Sequence, residues 1–255
     1  KRVIATLAPS FISEFPVSGI GEMEGYLKKL GLFAARETAE GAYIVKSEYE
    51  NLIRDHKQEV IISSCCHTVV TLIQKYFPAV IPCIAPVISP MMASAKLIKE
   101  EYPDAYVVFI GPCISKKDEM QKVPGYIDCV LTFDELVQWF QMRHIEVAPA
   151  PVAESEGRAS RFFPRTGGII ECMHTRGTGY KYLAVDGVEN CVRAIEAIER
   201  GGLKGYFVEM SACEGSCING PVMREHKKKR MLGATKVENY AGDGLFAVEA
   251  PNDLS

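Results

Sequence analysis

The chain has 255 residues, 47% of them hydrophobic, and a formal charge of −3. That is enough for one large core or two smaller ones, without the basic excess of a dedicated nucleic-acid binder. The longest apolar run, Ala79 to Ile88, is short and broken by Pro82 and Pro86, so no membrane span is expected. No signal segment opens the chain, which begins at Lys1 directly in a strand-like run. A cytoplasmic location is therefore expected, with the natural beginning missing.

In chain order the apolar periodicity predicts a strand over Val3–Leu7, then helices over Gly21–Leu30 and Ser47–His56. A strand over Val60–Ser63, a helix over Thr68–Phe77, a strand over Val80–Ala85 and a helix over Met91–Glu101 follow. Next come strands over Tyr106–Ile110 and Tyr126–Leu131 and a helix over Phe133–Met142. The series closes with strands over Tyr182–Val185 and Tyr206–Met210 and helices over Val188–Arg200 and Pro221–Leu232. "SEYE" (47–50) and "TFDE" (132–135) read as capping boxes, with a hydroxyl at the cap and an acid three residues on; "ERGG" (199–202) reads as a helix stop.

Strands alternating with helices predict an α/β fold of two lobes, each a mostly parallel sheet flanked by helices. The expected division is a contiguous lobe over 61–145, a discontinuous lobe from 1–60 and 146–235, and a C-terminal extension over 236–255. The irregular stretch from Glu146 to Gly168 is long for a connection and reads as a linker or an active-site cover.

Nine cysteines, at 65, 66, 83, 113, 129, 172, 191, 213 and 217, are the unusual feature. An odd number in a chain large enough to fold on its core argues for metal or redox chemistry over a secreted disulfide scaffold. Cys83, Cys129, Cys172 and Cys191 lie in apolar periodic segments and read as core residues. The other five gather where strands end, and ligands of parallel sheets collect beyond the carboxyl ends of strands. Cys65 and Cys66 follow one strand, Cys113 another, Cys213 and Cys217 a third.

Cys213 and Cys217 are one helical turn apart, which puts two soft ligands on one face. Packing residues on a helix would show the same spacing. Well-separated thiolates from three loops suit a cluster lodged between lobes better than a zinc knuckle built from paired CxxC loops. Lys116 stands one turn from Cys113, where a cation would stabilise an anionic ligand, while Lys117 and the basic "EHKKKR" (225–230) read as solvated faces.

The motifs "SSCC" (63–66), "GPCISKKDE" (111–119) and "EMSACEGSCINGP" (209–221) resemble, in order, the three signatures of the FeFe hydrogenase catalytic domain. "LAPS" (7–10), "SPMM" (89–92) and "TGGIIE" (166–171) resemble further stretches of it, so the likeness runs from Ala8 to about Met223. The resemblance implies a 4Fe–4S cube held by Cys66, Cys113, Cys213 and Cys217, the last also bridging to a two-iron subsite with CO, cyanide and dithiolate ligands. Lys116 matches the lysine that binds one cyanide, and Ala8, Pro9 and Ser10 form the loop that receives the other. Cys65 matches the thiol that carries protons to the dithiolate amine. Ser64, Ser89, Glu48 and Glu50 are candidates for later steps of that path.

The sequence also departs from the family pattern. His67 follows the cysteine pair where the family has proline, and reads either as a donor to the cube or as a helix cap. Gly111 and Ser211 replace two methionines beside the cluster, leaving space for water at the first and a hydroxyl at the second. The third-motif glycine pair is Gly215-Ser216. These changes, and the absence of a ferredoxin-type CxxCxxC segment, resemble the sensory branch. The expectation is thus an anaerobic, low-turnover hydrogenase acting on dihydrogen and protons, loaded by maturation proteins and signalling to a further domain. Two rivals stay open. One is a non-catalytic iron–sulfur protein of the same fold, as in cluster assembly, and the other is a thiol-based redox module.

Overall fold

A computed structural model describes residues 1–150, 157–223 and 230–251. Among them seven strands form, β1 (Val3–Leu7), β2 (Ala34–Glu37), β3 (Val60–Ile62), β4 (Tyr106–Gly111), β5 (Cys129–Thr132), β6 (Lys181–Asp186) and β7 (Tyr206–Ser211). The helices are α1 (Phe11–Glu14), α2 (Ile20–Lys29), α3 (Thr38–Asp55), α4 (His67–Tyr76), α5 (Pro90–Glu101), α6 (Ser115–Lys122), α7 (Phe133–Met142), α8 (Gly168–Glu171), α9 (Val188–Glu199) and α10 (Arg230–Tyr240). The strands make two all-parallel sheets, ordered β2-β1-β4-β5 and β3-β7-β6. The expected α/β architecture of two parallel sheets flanked by helices is therefore present.

The strands are shared out differently from the expected lobes. β4, placed in the 61–145 lobe, pairs with β1 on one side and β5 on the other, so both join the sheet of β1 and β2, while β3 pairs with β7. The cause is α3. Its 18 residues span about 27 Å at 1.5 Å per residue, long enough to carry the chain from one sheet to the other. The chain returns through α4 and α5 to place β4 beside β1. Helices α3 and α5 pack closely where they cross: a Cβ on Gly41 would lie 2.3 Å from the Pro90 carbonyl oxygen, so only glycine fits.

Each sheet has its own core, Ile4, Leu7, Phe109, Ile110 and Phe133 in the first and Ile62, Val69, Ile195 and Val208 in the second. A third cluster joins Tyr49 and Ile53 of α3 to Ile61, Ala93 and Phe207. The presumed extension after residue 236 belongs to the first core, where Val237 and Tyr240 are buried and Tyr240 meets Phe11 edge-on at 5.7 Å. Apolar residues one turn apart on α10 supply that contact, which a cut at residue 236 would have divided.

Other expectations change with the structure. Val80–Ala85 is no strand; Pro78–Cys83 forms a 3-10 turn, and contact with β3 is limited to an isolated bridge at Ile84, where the Ala85 N–H donates to the Ile62 carbonyl at 2.8 Å. Pro82 has no N–H to give a ladder. The short, half-polar β2 edge strand was not foreseen. Ser47 caps nothing, because it lies inside α3, where its hydroxyl donates to the Tyr43 carbonyl. The Thr132 box is present in both halves, opening α7. The helix predicted over Pro221–Leu232 and the basic 225–230 run fall largely outside the described residues, with a helix described only from Arg230.

Candidate metal centre

Four strand ends converge. In the first sheet β1 and β4 are neighbours, with Leu7 opposite Ile110, so Ala8-Pro9-Ser10 and Gly111-Pro112-Cys113 leave side by side. In the second sheet β3 and β7 are neighbours, and the Ser63 hydroxyl accepts from the Met210 N–H at 3.2 Å, extending the ladder to the cysteine loops. This is where chemistry collects in parallel sheets.

Between these loops lies a cavity with about 570 Å³ of empty space, counted to the atom surfaces and including its mouth. Ala8, Pro9, Ser10, Cys65, Cys113, Lys116 and Cys217 line it, and Ala42, Met91, Phe109, Phe163 and Pro164 supply apolar wall. Phe163 and Pro164 come from the irregular stretch, so the part of it that is described serves as cover. Gly111 and Ser211 do not line the cavity.

All nine cysteines are free thiols. Burial raises the pKa of Cys113, and the charge of Cys66 adds to it against the pull of Lys116. Burial, then Cys66 and Cys113, pushes Cys213 up to about 11. Cys217 is held higher still, by burial and then by Cys113, Cys66 and Cys213. Its side chain is exposed, on the wall of the open cavity. Cys66 and Cys213 do not reach the cavity wall, but both act on Cys217. The thiols of Cys113, Cys213 and Cys217 are thus all harder to ionise, and a cationic group among them would ease the loss of their protons.

Among the described residues no three His, Cys, Asp or Glu side chains are grouped to hold one metal ion. Thiolates at separate corners of a multi-iron cube need no such common point. The polar groups on the cavity point the same way. The Ser10 hydroxyl is fully buried and without a hydrogen-bond partner, an expensive state unless a ligand acceptor meets it. The buried Ser89 hydroxyl, next to cavity-lining Pro90, is likewise unpaired. The Lys116 ammonium donates to the Glu119 carboxylate at 2.6 Å and the Cys65 carbonyl at 3.1 Å. Burial pulls its pKa down, but Glu119, Cys113 and Cys65 outweigh that and hold it above the ordinary value. A half-buried cation with one further N–H to offer faces the cavity. The donor set therefore suits an anionic iron–sulfur group.

Cys65 stands apart from the four. Burial pushes it up to about 12, opposed by its hydrogen-bond contact with Tyr49 and by the charge of Lys116. It is a neutral thiol on the cavity wall. Its 3.1 Å contact with the Tyr49 hydroxyl was not foreseen. The sequence did carry a signal, since Ala42 and Tyr49 are seven residues apart and share a helix face, but a helix begun at Ser47 hides it. None of the four other candidate path residues lines the cavity. Ser64 hydrogen-bonds Tyr49, and the Glu50 carboxylate is taken by Lys46 and the His174 N–H.

Two departures resolve differently from expectation. The room left by Gly111 is not open to water: a Cβ there would sit 2.7 Å from the Phe109 ring, which fills the space. The Ser211 hydroxyl pairs with that of Ser216 at 2.9 Å. Ser216 has φ +62°, the left-handed region glycine favours, and this bond helps hold it there. His67 opens α4, and its Nε2 meets Asp118 of α6 at 2.7 Å, tying the Cys66 loop to the helix after Cys113. The core cysteines are as read for Cys191, which is buried, and for Cys83 and Cys129, which pack against the cores. Cys172 instead donates to the carbonyls of Ala159 and Gly168.

The relatives of this chain fall into two groups. It is 22% identical over 284 residues to iron hydrogenase 1 of Clostridium pasteurianum, covering 86% of this chain and 50% of that protein. It is also 22% identical over 296 residues to the cytosolic Fe-S cluster assembly factor narfl of Danio rerio, covering 86% of this chain and 71% of that protein. The chain thus spans about half the length of that hydrogenase. Among solved structures, a variant of FeFe-hydrogenase HydA1 from Chlamydomonas reinhardtii shares the fold with a TM-score of 0.74 and 20% identity, over 98% of this chain and 86% of that one. The family model for the C-terminal domain of the iron-only hydrogenase large subunit matches residues 1–179 and 172–221, and the chain belongs to that family.

Proposed function

We propose that this chain is the catalytic domain of an FeFe hydrogenase, interconverting dihydrogen with protons and electrons slowly and in the service of dihydrogen or redox sensing. The observation that carries this reading is the cavity where Cys113 and Cys217 meet Lys116, Cys65 and the unpaired Ser10 hydroxyl. In this reading Cys66, Cys113, Cys213 and Cys217 would hold a 4Fe–4S cube, and the cavity beside Cys217 would take a two-iron unit carrying CO, cyanide and dithiolate. When bound, that group supplies the iron site and the amine at which dihydrogen is made or split.

The remaining roles belong to the protein. Lys116 would offer its free N–H to one cyanide, and the Ala8-Pro9-Ser10 loop would receive the other, with the Ser10 hydroxyl as donor. Cys65 holds a proton at Sγ without placing a charge in an apolar wall. Phe109, Phe163 and Pro164 keep bulk water from the site.

The sensory assignment is supported by Phe109 filling the place beside Gly111 and by the Ser211–Ser216 pair, where the family pattern has two thioethers. Among the described residues no helix is long and apolar enough to cross a membrane. A cytoplasmic, anaerobic setting, maturation proteins as partners and a signalling or electron-transfer domain elsewhere complete the proposal.

A second reading has its own support: assembly factors are matched at 21–23% identity, against 22–25% for hydrogenases, and over more of their length. In it the cysteines hold a cube alone, and Lys116 and Ser10 are left without a task. Infrared spectra of anaerobically matured protein separate the two. CO and cyanide bands support the hydrogenase, and their absence from protein loaded with the two-iron unit's precursors supports the assembly-type protein.

A further inference from the structure

The Tyr49 ring is fully buried in α3, 5.4 Å from the Phe207 ring, and three polar groups meet at its hydroxyl. Tyr49 Oη accepts from the Ser64 N–H at 2.9 Å and contacts Ser64 Oγ at 2.9 Å and Cys65 Sγ at 3.1 Å. Ser64 Oγ donates its one hydrogen to the Val87 carbonyl at 2.6 Å.

That last bond fixes the direction of all the others. With its hydrogen committed to a carbonyl, Ser64 Oγ can only accept from Tyr49. Tyr49 has one hydrogen, so it gives that to Ser64 and must accept from Cys65. The order runs from the Cys65 thiol through the Tyr49 and Ser64 hydroxyls to the Val87 carbonyl, which has no proton to pass on.

We infer that Tyr49 is the positioning residue for Cys65, holding the thiol hydrogen away from the cavity so that the thiol must turn before it can serve a group there. Turning breaks one S–H···O bond and leaves Tyr49 Oη with the Ser64 N–H as its donor, so neither hydroxyl loses its own hydrogen bond. The chain through Ser64 is thus a holding arrangement and not an exit path for protons. A role for Cys65 in proton transfer rests on the hydrogenase reading, whereas the orientation of its hydrogen does not.

The S–H stretching band of metal-free, unmatured protein tests this, assigned to Cys65 by its loss in Cys65→Ala. The native band should lie at a hydrogen-bonded frequency. It should shift up to the free-thiol position in Tyr49→Phe, which removes the acceptor. The same shift is expected in Ser64→Ala, where Tyr49 turns its hydrogen on the sulfur and displaces the thiol's own. A native band already at the free position, or one unmoved in both variants, overturns the inference. Unchanged turnover of matured Cys65→Ala would instead remove the relay from the hydrogenase reading and leave the infrared result standing.

Discussion

Two buried polar clusters in this molecule are built on opposite principles. Around Arg161 every strong group has found its partner. The guanidinium donates twice to Glu37, at 2.9 and 2.6 Å, and once to the Tyr240 carbonyl, and it lies 3.9 Å from the centre of the Tyr240 ring. The Tyr240 hydroxyl returns to the same carboxylate at 3.2 Å. Around the cavity, by contrast, a serine hydroxyl is unpaired, thiols are held above their ordinary pKa and a lysine keeps a donor in hand. The first cluster is complete and locks the 158–162 turn to β2 and α10; the second leaves polar groups open, as the proposed cluster site requires. Buried polarity alone does not mark a functional site, but polarity left open on a cavity wall does.

The comparison can be broken most forcefully at the lock. Glu37→Ala strands a buried guanidinium and should destabilise the protein by about 3–5 kcal/mol, while the iron bound per folded molecule stays the same. Urea unfolding and iron analysis on one sample measure both. Loss of iron from protein that remains folded would show that the two clusters are not separate.

At the cavity the effects should be smaller on folding and larger on loading. Lys116→Met should leave the cube in place and prevent retention of the two-iron unit, read as lost CO and cyanide bands against unchanged iron–sulfur absorption. Loading also has a pH dependence of known sign. Cys213 ionises only near 11 and Cys217 higher, so binding iron must displace their protons. Apparent affinity should rise with pH through the neutral and mildly alkaline range, with protons released to an unbuffered solution. An affinity independent of pH would contradict the thiol assignment.

Ser10→Ala sharpens the contrast further. Removing a buried hydroxyl that has no partner should stabilise the apoprotein by about 1 kcal/mol, whereas an equivalent loss at a satisfied group destabilises. In matured protein the same change should shift a cyanide band. The smallest effect is expected at Ser211→Met, which removes the partner of Ser216 and should move the cluster midpoint toward that of ordinary family members. A redox titration reads this, and Ser216→Gly in the same chain should restore any stability lost.

The parts legible in the sequence are those set by local chemistry. β1 and α7 have the predicted bounds because a short continuous apolar run and a Thr132–Glu135 box act within a few residues. The cysteine loops were legible because strand ends collect ligands whichever way the strands are ordered. Strand pairing was not legible, since it is decided by the reach of α3 and not by any property of β3 or β4 taken alone. Nor was the Phe109 ring beside Gly111, because two residues on one face of a strand compete for a space that only the packed sheet defines. Tyr49 was hidden for a related reason: its partners arrive from the loop after the next strand.

The most direct test is the paramagnetic signal of anaerobically reconstituted, reduced protein, compared across single cysteine replacements. The account predicts an iron–sulfur signal in the native chain that is lost in Cys113→Ala and Cys213→Ala and kept in Cys65→Ala and Cys191→Ala. A full signal in either of the first two, with iron and sulfide at native stoichiometry, would contradict it.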